Sequence, residues 1–148
     1  MKIAGSHKLP LSKESAYHRM QDPEALARSI PGCEGLEKIG EDEYKMKMKM
    51  ALAAISGAFE GKVRITDQQP PSSFRLLVEG TGKIGFVKGE GLLTLKPENS
   101  ETEVSYEGDV QVGGTMAAVG QRLIDATAKM MIKRFFEKLA EEPAQAAS

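Results

Sequence analysis

The sequence of 148 residues has no tryptophan, one cysteine and two histidines. Because Cys33 has no second cysteine to pair with, an internal disulfide is excluded, and with it the disulfide-rich secreted scaffolds. Neither His7 nor His18 has a cysteine, aspartate or glutamate nearby at the spacing of metal ligands, so no metal site is predicted. Aromatic residues make up only 5% of the chain, which argues against nucleic-acid binding by base stacking.

An excess of charge of one sign is also missing, since 20 Lys and Arg residues stand against 21 Asp and Glu residues. No net field therefore draws the whole molecule to nucleic acid or to an anionic membrane. No uncharged apolar run reaches the ~18 to 20 residues of a membrane-spanning helix. The first residues, Met1 to Gly5, lack the apolar core of a secretory signal. We expect a cytoplasmic protein that binds no nucleic acid and touches the inner face of the membrane only peripherally, if at all.

Hydrophobic residues make up 41% of the chain and charged residues 28%, which is typical of a soluble globular protein. A chain of this length usually forms one domain around one core. We expect a single domain over residues 1–142. The small and polar residues 143–148 are expected to form a frayed C-terminal tail.

Capping residues and alternation predict the first elements of the chain. Lys2–Leu9 has the pattern of a β-strand. Ser12 is the expected N-cap of a short helix that ends near Met20. A second short helix follows directly, with Asp22 as its N-cap and a proline at its first position, where the missing N–H is harmless; Pro31–Gly32 ends it.

Period-two alternation dominates residues 34–112, and it is clearest over residues 44–52, where methionines alternate with lysines. Turn signals lie at residues 68–73, 80–83 and 97–101, so we predict that consecutive strands pair as an antiparallel meander. Glycines inside the strands permit sharp bends and bulges. The predicted sheet is therefore strongly curved.

After Gly114 the apolar spacing becomes helical and continues to about Ala140. A helix of about 26 residues at ~1.5 Å per residue spans ~39 Å, which matches a strand of ten to twelve residues at ~3.3 Å per residue. One helix can therefore cross the whole sheet. The predicted fold class is α+β: a curved antiparallel β-sheet wrapped around a long C-terminal α-helix, with two short helices after the first strand.

Three features that resemble functional sites have simpler explanations. Gly80–Gly85 spells the glycine pattern of a dinucleotide-binding loop, but strands flank it on both sides and no helix N-terminus follows to receive a phosphate. A β-turn explains the glycines. The lysines on the outward phase of the alternating strands are interpreted as a solvated face. Cys33 follows a Pro-Gly turn, has no identifiable histidine partner and is interpreted as a packing residue.

The inward phases of the strands carry almost no ionisable group, so they offer no acid–base pair or nucleophile. From periodicity alone, a methionine-rich core and a ligand pocket explain the eight methionines equally well. If a pocket exists, strand and helix phase predict that the following residues line it: Met46, Met48, Met50, Phe59, Phe74, Leu76, Tyr106, Met116, Val119, Leu123 and Met130.

Several short motifs are distributed over nearly the whole chain. They are Asp22-Pro23-Glu24-Ala-Leu26 running into Ile30-Pro31-Gly32-Cys33-Glu34, Gly89-Glu-Gly91 before Leu93, Tyr106 to Gly114, Ala117, Gly120-Gln121-Arg122-Leu123-Ile124 and Phe135-Phe136. In these motifs and in its order of elements the sequence resembles the carbon monoxide dehydrogenase G-subunit family, within the START-like helix-grip superfamily.

The resemblance implies a helix-grip fold and an accessory protein without catalytic residues, which serves a molybdenum hydroxylase of the carbon monoxide dehydrogenase type. It further implies that the ligand is a lipophilic quinone or lipid-like molecule, for delivery or for linkage of the dehydrogenase to the membrane. Two alternatives stay open. One is an enzyme like the polyketide cyclases and hydratases of the same superfamily, and the other is an assembly or maturation factor that acts through a protein-binding surface.

Overall fold

A computed structural model describes residues 1–52 and 55–141. Seven strands, two short α-helices, one 3₁₀ helix and one long α-helix are formed by these residues. In chain order they are β1 (Lys2–Leu9), α1 (Lys13–Arg19), α2 (Pro23–Ser29), β2 (Cys33–Gly40), β3 (Glu43–Leu52), β4 (Ile55–Gln69), β5 (Ser73–Gly82), β6 (Gly85–Glu98), β7 (Glu101–Gly113), the 3₁₀ helix (Gly114–Val119) and α3 (Gln121–Glu141). The predicted tail over residues 143–148 lies outside the described residues.

The seven strands form one antiparallel sheet in the order β1-β7-β6-β5-β4-β3-β2. Strands β2 to β7 follow one another as hairpins, and the first strand pairs with the last, so β1 and β2 are the two edges. The predicted meander and the α+β helix-grip fold, with its curved sheet and long C-terminal helix, are confirmed.

The short helices begin where their capping residues predict. The Ser12 side chain accepts a hydrogen bond from the backbone N–H of Ser15 at 3.2 Å. The Asp22 carboxylate accepts one from the backbone N–H of Glu24 at 3.3 Å, and Pro23 occupies the first turn of α2. Because each cap satisfies a backbone donor that the helix leaves unpaired, the sequence alone locates both helix starts.

Alternation correctly identifies the inner face of the sheet. Tyr44, Met46 and Met48 in β3 are buried, whereas the lysines between them are exposed. The same alternation buries Phe59, Val63 and Ile65 of β4, Phe74 of β5, Leu93 and Leu95 of β6, and Thr102 and Val104 of β7. The core thus lies on one face of the sheet, beneath α1, α2 and α3.

The C-terminal helix begins later than its apolar spacing predicts. Residues Gly114–Val119 form a 3₁₀ helix, and Gly120 follows with φ of 101° before α3 starts. This backbone conformation is costly for residues other than glycine and interrupts the α-helix. The continuous α-helix therefore has 21 residues instead of about 26. Within the described residues no helix is long and apolar enough to cross a membrane.

The helical insert holds the far end of α3. Arg19 of α1 is 1% exposed, and its Nη1 donates a hydrogen bond at 3.3 Å to the carbonyl oxygen of Leu139 in the last turn of α3. A cation is favourable at this end because the last carbonyls of a helix carry partial negative charge. Helix α2 packs against both α3 and β2. These contacts fix the helix above the sheet and so define the space between them.

Candidate functional site

A cavity of about 340 Å³ lies between the inner face of the sheet and α3, and it is partly open to solvent. Its size falls within the range of ~300 to 1,000 Å³ that is usual for small-molecule sites. The lining comes from the strands, from the two short helices and their connection to β2, and from α3: Ile3, Met20, Leu26, Ile30, Pro31, Met46, Met48, Val63, Phe74, Leu76, Val78, Val87, Gly89, Glu90, Gly91, Leu93, Tyr106, Glu107, Gly108, Val110, Ala128, Met131, Ile132, Phe135 and Phe136.

Glycines form the floor of this cavity. Gly91 and Gly108 pair with each other across β6 and β7, and Gly89 is two residues before Gly91 on the same face. Alternation directs the missing side chains of Gly89 and Gly91 toward α3, whereas a Cβ atom on Gly108 would meet the backbone of β6. An ideal Cβ atom on Gly91 would meet no atom closer than 3.5 Å, so the space above this residue is free. The cavity therefore exists because bulky side chains are absent from the centre of the inner face.

The lining is almost entirely apolar. Glu90 and Glu107 are exposed, and alternation places their side chains on the outer face, so only their main chain reaches the cavity. Among residues 1–52 and 55–141, no Asp or Glu side chain is buried. The site can accommodate a hydrophobic molecule, but its described residues provide no desolvated carboxylate for acid–base chemistry.

Tyr106 is the lining residue whose side chain carries a hydroxyl group. Its ring lies nearly parallel to that of Phe136, with ring centroids 6.4 Å apart and an interplanar angle of 17°. His7 stacks on Phe136 at 4.6 Å. Burial raises the pKa of Tyr106 above its ordinary value of 10.0, and the nearby Lys129 opposes this shift. The phenol is therefore protonated near neutral pH and can donate a hydrogen bond.

Acidification is expected to destabilise the fold through His7. Burial lowers the pKa of His7 below its ordinary value of 6.5, while Glu137 acts in the opposite direction and Lys133 in the same direction. The unfolded chain therefore takes up this proton at higher pH than the folded chain. The contribution of His7 to stability is complete above about pH 6.5 and is lost as the pH falls through the lower folded pKa.

The variant His7→Phe keeps a ring against Phe136 and removes this titration. We expect its melting temperature to fall less than that of the wild type between about pH 7.5 and about pH 5.5, where histidine is the main titrating side chain. Thermal unfolding followed by circular dichroism measures both slopes. Identical slopes would show that His7 has no part in the pH dependence.

The structure brings five of the eleven sequence-predicted site residues to the cavity: Met46, Met48, Phe74, Leu76 and Tyr106. It places the other six outside the lining. Of these, Phe59 and Met116 are buried in the core, and Met50 packs against it. Val119 lies in the 3₁₀ helix, Leu123 is 39% exposed, and Met130 is half-buried on another side of α3.

The sequence predicts a helix that runs through Gly120 without a break, and this changes which helix residues are expected at the cavity. Because the helix is interrupted at Gly120, the face on which residues 114–119 lie does not continue as the same face of α3. The helix face at the cavity consists instead of Ala128, Met131, Ile132, Phe135 and Phe136. Their spacing of three and four residues is a regular amphipathic stripe, so periodicity measured over α3 alone could have found it.

The remaining motifs have structural roles. Gly80–Gly85 lies in the hairpin between β5 and β6, which confirms the β-turn interpretation. Cys33 packs against the core, and burial raises the pKa of its thiol, which disfavours the reactive thiolate. Within the described part of the chain, no group of three or more His, Cys, Asp or Glu side chains is placed to hold a metal ion.

A family model described as the G subunit of carbon monoxide dehydrogenase (CoxG) matches residues 5–143. A crystal structure of a conserved protein from Geobacillus kaustophilus is 38% identical to the chain, with a TM-score of 0.94; the match covers 98% of this chain and 96% of that one. No curated protein matches the chain.

More distant solved structures share the fold. A START superfamily protein from Mycobacterium smegmatis is 12% identical, with a TM-score of 0.73 and 94% of each chain covered. The Zhui aromatase/cyclase from Streptomyces sp. R1128 is 10% identical, with a TM-score of 0.70, 98% of this chain and 93% of that chain covered. At such low identity these two likenesses establish the fold alone.

Proposed function

Because the chain belongs to the carbon monoxide dehydrogenase G-subunit (CoxG) family, we propose that it is a non-catalytic carrier that holds a lipophilic molecule for a molybdenum hydroxylase. The observation that carries this proposal is the apolar cavity of about 340 Å³ beneath α3. Apolar surface that is transferred from water into such a cavity contributes ~25 cal/mol per Å² to binding before the costs of association are subtracted.

A quinone is the ligand that we propose, with a lipid-like molecule of similar shape as the alternative. At ~30 Å³ per water molecule, the cavity has the volume of about eleven waters. That space suits a compact ring system better than a long chain. A long isoprenoid tail would have to leave through the open side of the cavity, which is compatible with a carrier that takes up and releases its ligand.

The family name supports the second part of the proposal, which is service to a dehydrogenase of the carbon monoxide dehydrogenase type. In this role the protein would deliver its ligand to the dehydrogenase or link that enzyme to the membrane. Assembly or maturation of the dehydrogenase is an alternative role that needs a protein-binding surface but no ligand. The occupied or empty state of the cavity in the purified protein distinguishes the two.

The enzyme alternative has weaker support. A structural neighbour is named an aromatase/cyclase, but at 10% identity the likeness extends only to the fold. A cyclase or hydratase of this kind would need a polar group that moves protons inside the cavity. Glu90 and Glu107 are exposed on the other face of the sheet, which leaves Tyr106 as the titratable side chain of the lining.

The test is to purify the protein from a host that makes quinones and to analyse its organic extract by mass spectrometry. We expect a lipophilic molecule in roughly stoichiometric amount, and uptake of added 2-methyl-1,4-naphthoquinone by protein that has been stripped. Pull-down with the catalytic components of a molybdenum hydroxylase tests the partner. A cavity that is reproducibly empty and takes up no quinone would contradict the carrier proposal even if the pull-down succeeded.

A further inference from the structure

We infer that the hydroxyl group of Tyr106 is the hydrogen-bond donor that orients the ligand, so that the cavity selects apolar molecules that carry a neutral hydrogen-bond acceptor such as a carbonyl oxygen. This inference rests on the proposed binding function. It adds to that function the preferred chemical class of ligand and the residue that recognises this class.

Tyr106 is singled out by the composition of the lining. Among the lining residues, the other polar side chains belong to Glu90 and Glu107, which are exposed on the outer face. A ligand with a polar group therefore meets one side-chain donor in an otherwise apolar site. Sites of this kind commonly use a few polar groups to fix orientation, while apolar contacts supply most of the affinity.

The hydroxyl group of Tyr106 lies over Gly5 of the edge strand β1. Gly5 of β1 pairs directly with Tyr106 of β7, and an ideal Cβ atom on Gly5 would lie 2.6 Å from Tyr106 Oη. The phenol thus lies across the edge strand, in space that only a glycine leaves free. In the described part of the chain, no hydrogen bond is found that uses Tyr106 Oη. Its donor is available to a ligand.

The surroundings favour a neutral acceptor over a charged one. Burial raises the pKa of Tyr106, so the phenol keeps its proton as a donor. Lys129 is the nearby cation, and its Nζ is 3.1 Å from the carboxylate of Asp125 on the same helix. Lys133 lies near His7, and both lysines are exposed. An ionised head group in the cavity would therefore be buried without a desolvated counter-charge, which is costly. A carbonyl needs only the single donor that Tyr106 provides.

The experiment uses two probes of similar shape, 2-methyl-1,4-naphthoquinone, which has carbonyl acceptors, and 2-methylnaphthalene, which has none. Binding to the full chain is measured for the wild type and for Tyr106→Phe. We expect the quinone to bind roughly 2- to 12-fold more weakly to Tyr106→Phe, the usual effect of one neutral hydrogen bond. Binding of the hydrocarbon should change by less than about twofold, because the ring is kept.

Two further variants make the test specific. Tyr44→Phe is the matched control, since Tyr44 is buried on the same face of the sheet but is not part of the lining, and it should leave both affinities unchanged. Gly5→Ala displaces the Tyr106 hydroxyl without removing it, and should lower the affinity for the quinone selectively. The infrared carbonyl stretch of the bound quinone should be lower in frequency in the wild type than in Tyr106→Phe.

The outcomes separate this inference from the proposed function. Equal weakening of both probes in Tyr106→Phe, or an unchanged affinity for the quinone, would overturn the role of Tyr106 and leave the carrier proposal intact. If neither probe binds the wild type, the carrier proposal fails and the inference fails with it. Should Tyr106→Phe not fold, the same comparison with Gly5→Ala decides the question.

Discussion

Gly91→Leu is expected to weaken the binding of lipophilic probes by roughly 10- to 100-fold while the protein stays folded, since overfilling a packed site costs about 1 to 3 kcal/mol. Gly91 is on the floor of the cavity, and alternation directs a side chain at this position toward α3. A leucine would occupy space that the ligand needs. An ideal Cβ atom on Gly91 makes only an ordinary contact, 3.5 Å from the carbonyl oxygen of Glu107, so the strand itself can accept the change.

The matched control for this variant is Thr94→Leu. Thr94 is on the same strand, is exposed and faces the other side of the sheet, so the substitution adds the same side chain outside the cavity. Both variants are compared by titration with 2-methyl-1,4-naphthoquinone and by thermal unfolding. If Gly91→Leu binds the probe as tightly as the wild type does, the ligand occupies another place, and the cavity beneath α3 is not the binding site.

Of the variants proposed for this protein, Gly108→Ala is expected to have the largest effect on the free energy of unfolding. We expect a loss of about 3 kcal/mol, which is at the upper end of the range for added bulk in a packed site. An ideal Cβ atom on Gly108 would collide with the carbonyl oxygen of Glu90 and lie 2.7 Å from Gly91 Cα. Both atoms belong to the backbone of β6, so no side-chain rotation can relieve the overlap. The ladder between β6 and β7 has to open locally.

Gly91→Ala is the natural control, because Gly91 and Gly108 are partners across the same ladder. The alanine at residue 91 meets only ordinary contacts and should change stability by less than about 1 kcal/mol. For a chain of this size we expect Gly108→Ala to melt about 6 to 12 °C below the wild type. Equal melting temperatures for the two alanine variants would show that the sheet absorbs the overlap.

The two glycine experiments test different consequences of one feature. Glycines at the centre of the inner face let β6 and β7 approach closely, and they leave a cavity above the sheet. A leucine at residue 91 fills part of the cavity and keeps the close approach of the strands, whereas a side chain at residue 108 prevents that approach. The first change should therefore mainly reduce binding and the second should mainly reduce stability.

Local signals in the sequence were sufficient for most of the fold. In a strand with one solvent-exposed face, polar and apolar residues must alternate. The lysines and methionines of β3 therefore reveal both its conformation and its inner side. Ser12 and Asp22 mark helix starts because their side chains satisfy neighbouring backbone donors. Gly120 also carries a local signal, but a glycine in a helical pattern is compatible with both a break and a continuous helix, and only the observed φ of 101° decides between them.

The sequence by itself determined which strand residues face inward, and this included the place of Tyr106 among them. Only the tertiary structure decided which inward residues surround empty space, since that depends on which positions face one another across strands and beneath a helix. Gly5 pairs with Tyr106 although about a hundred residues separate them in sequence. Gly91 pairs with Gly108 at a separation of seventeen residues. Both pairings arise from the strand register. The rotation of α3 above them is likewise set by its packing on the sheet and on α2. Periodicity is a property of each element alone, whereas a cavity is a property of the distances between elements.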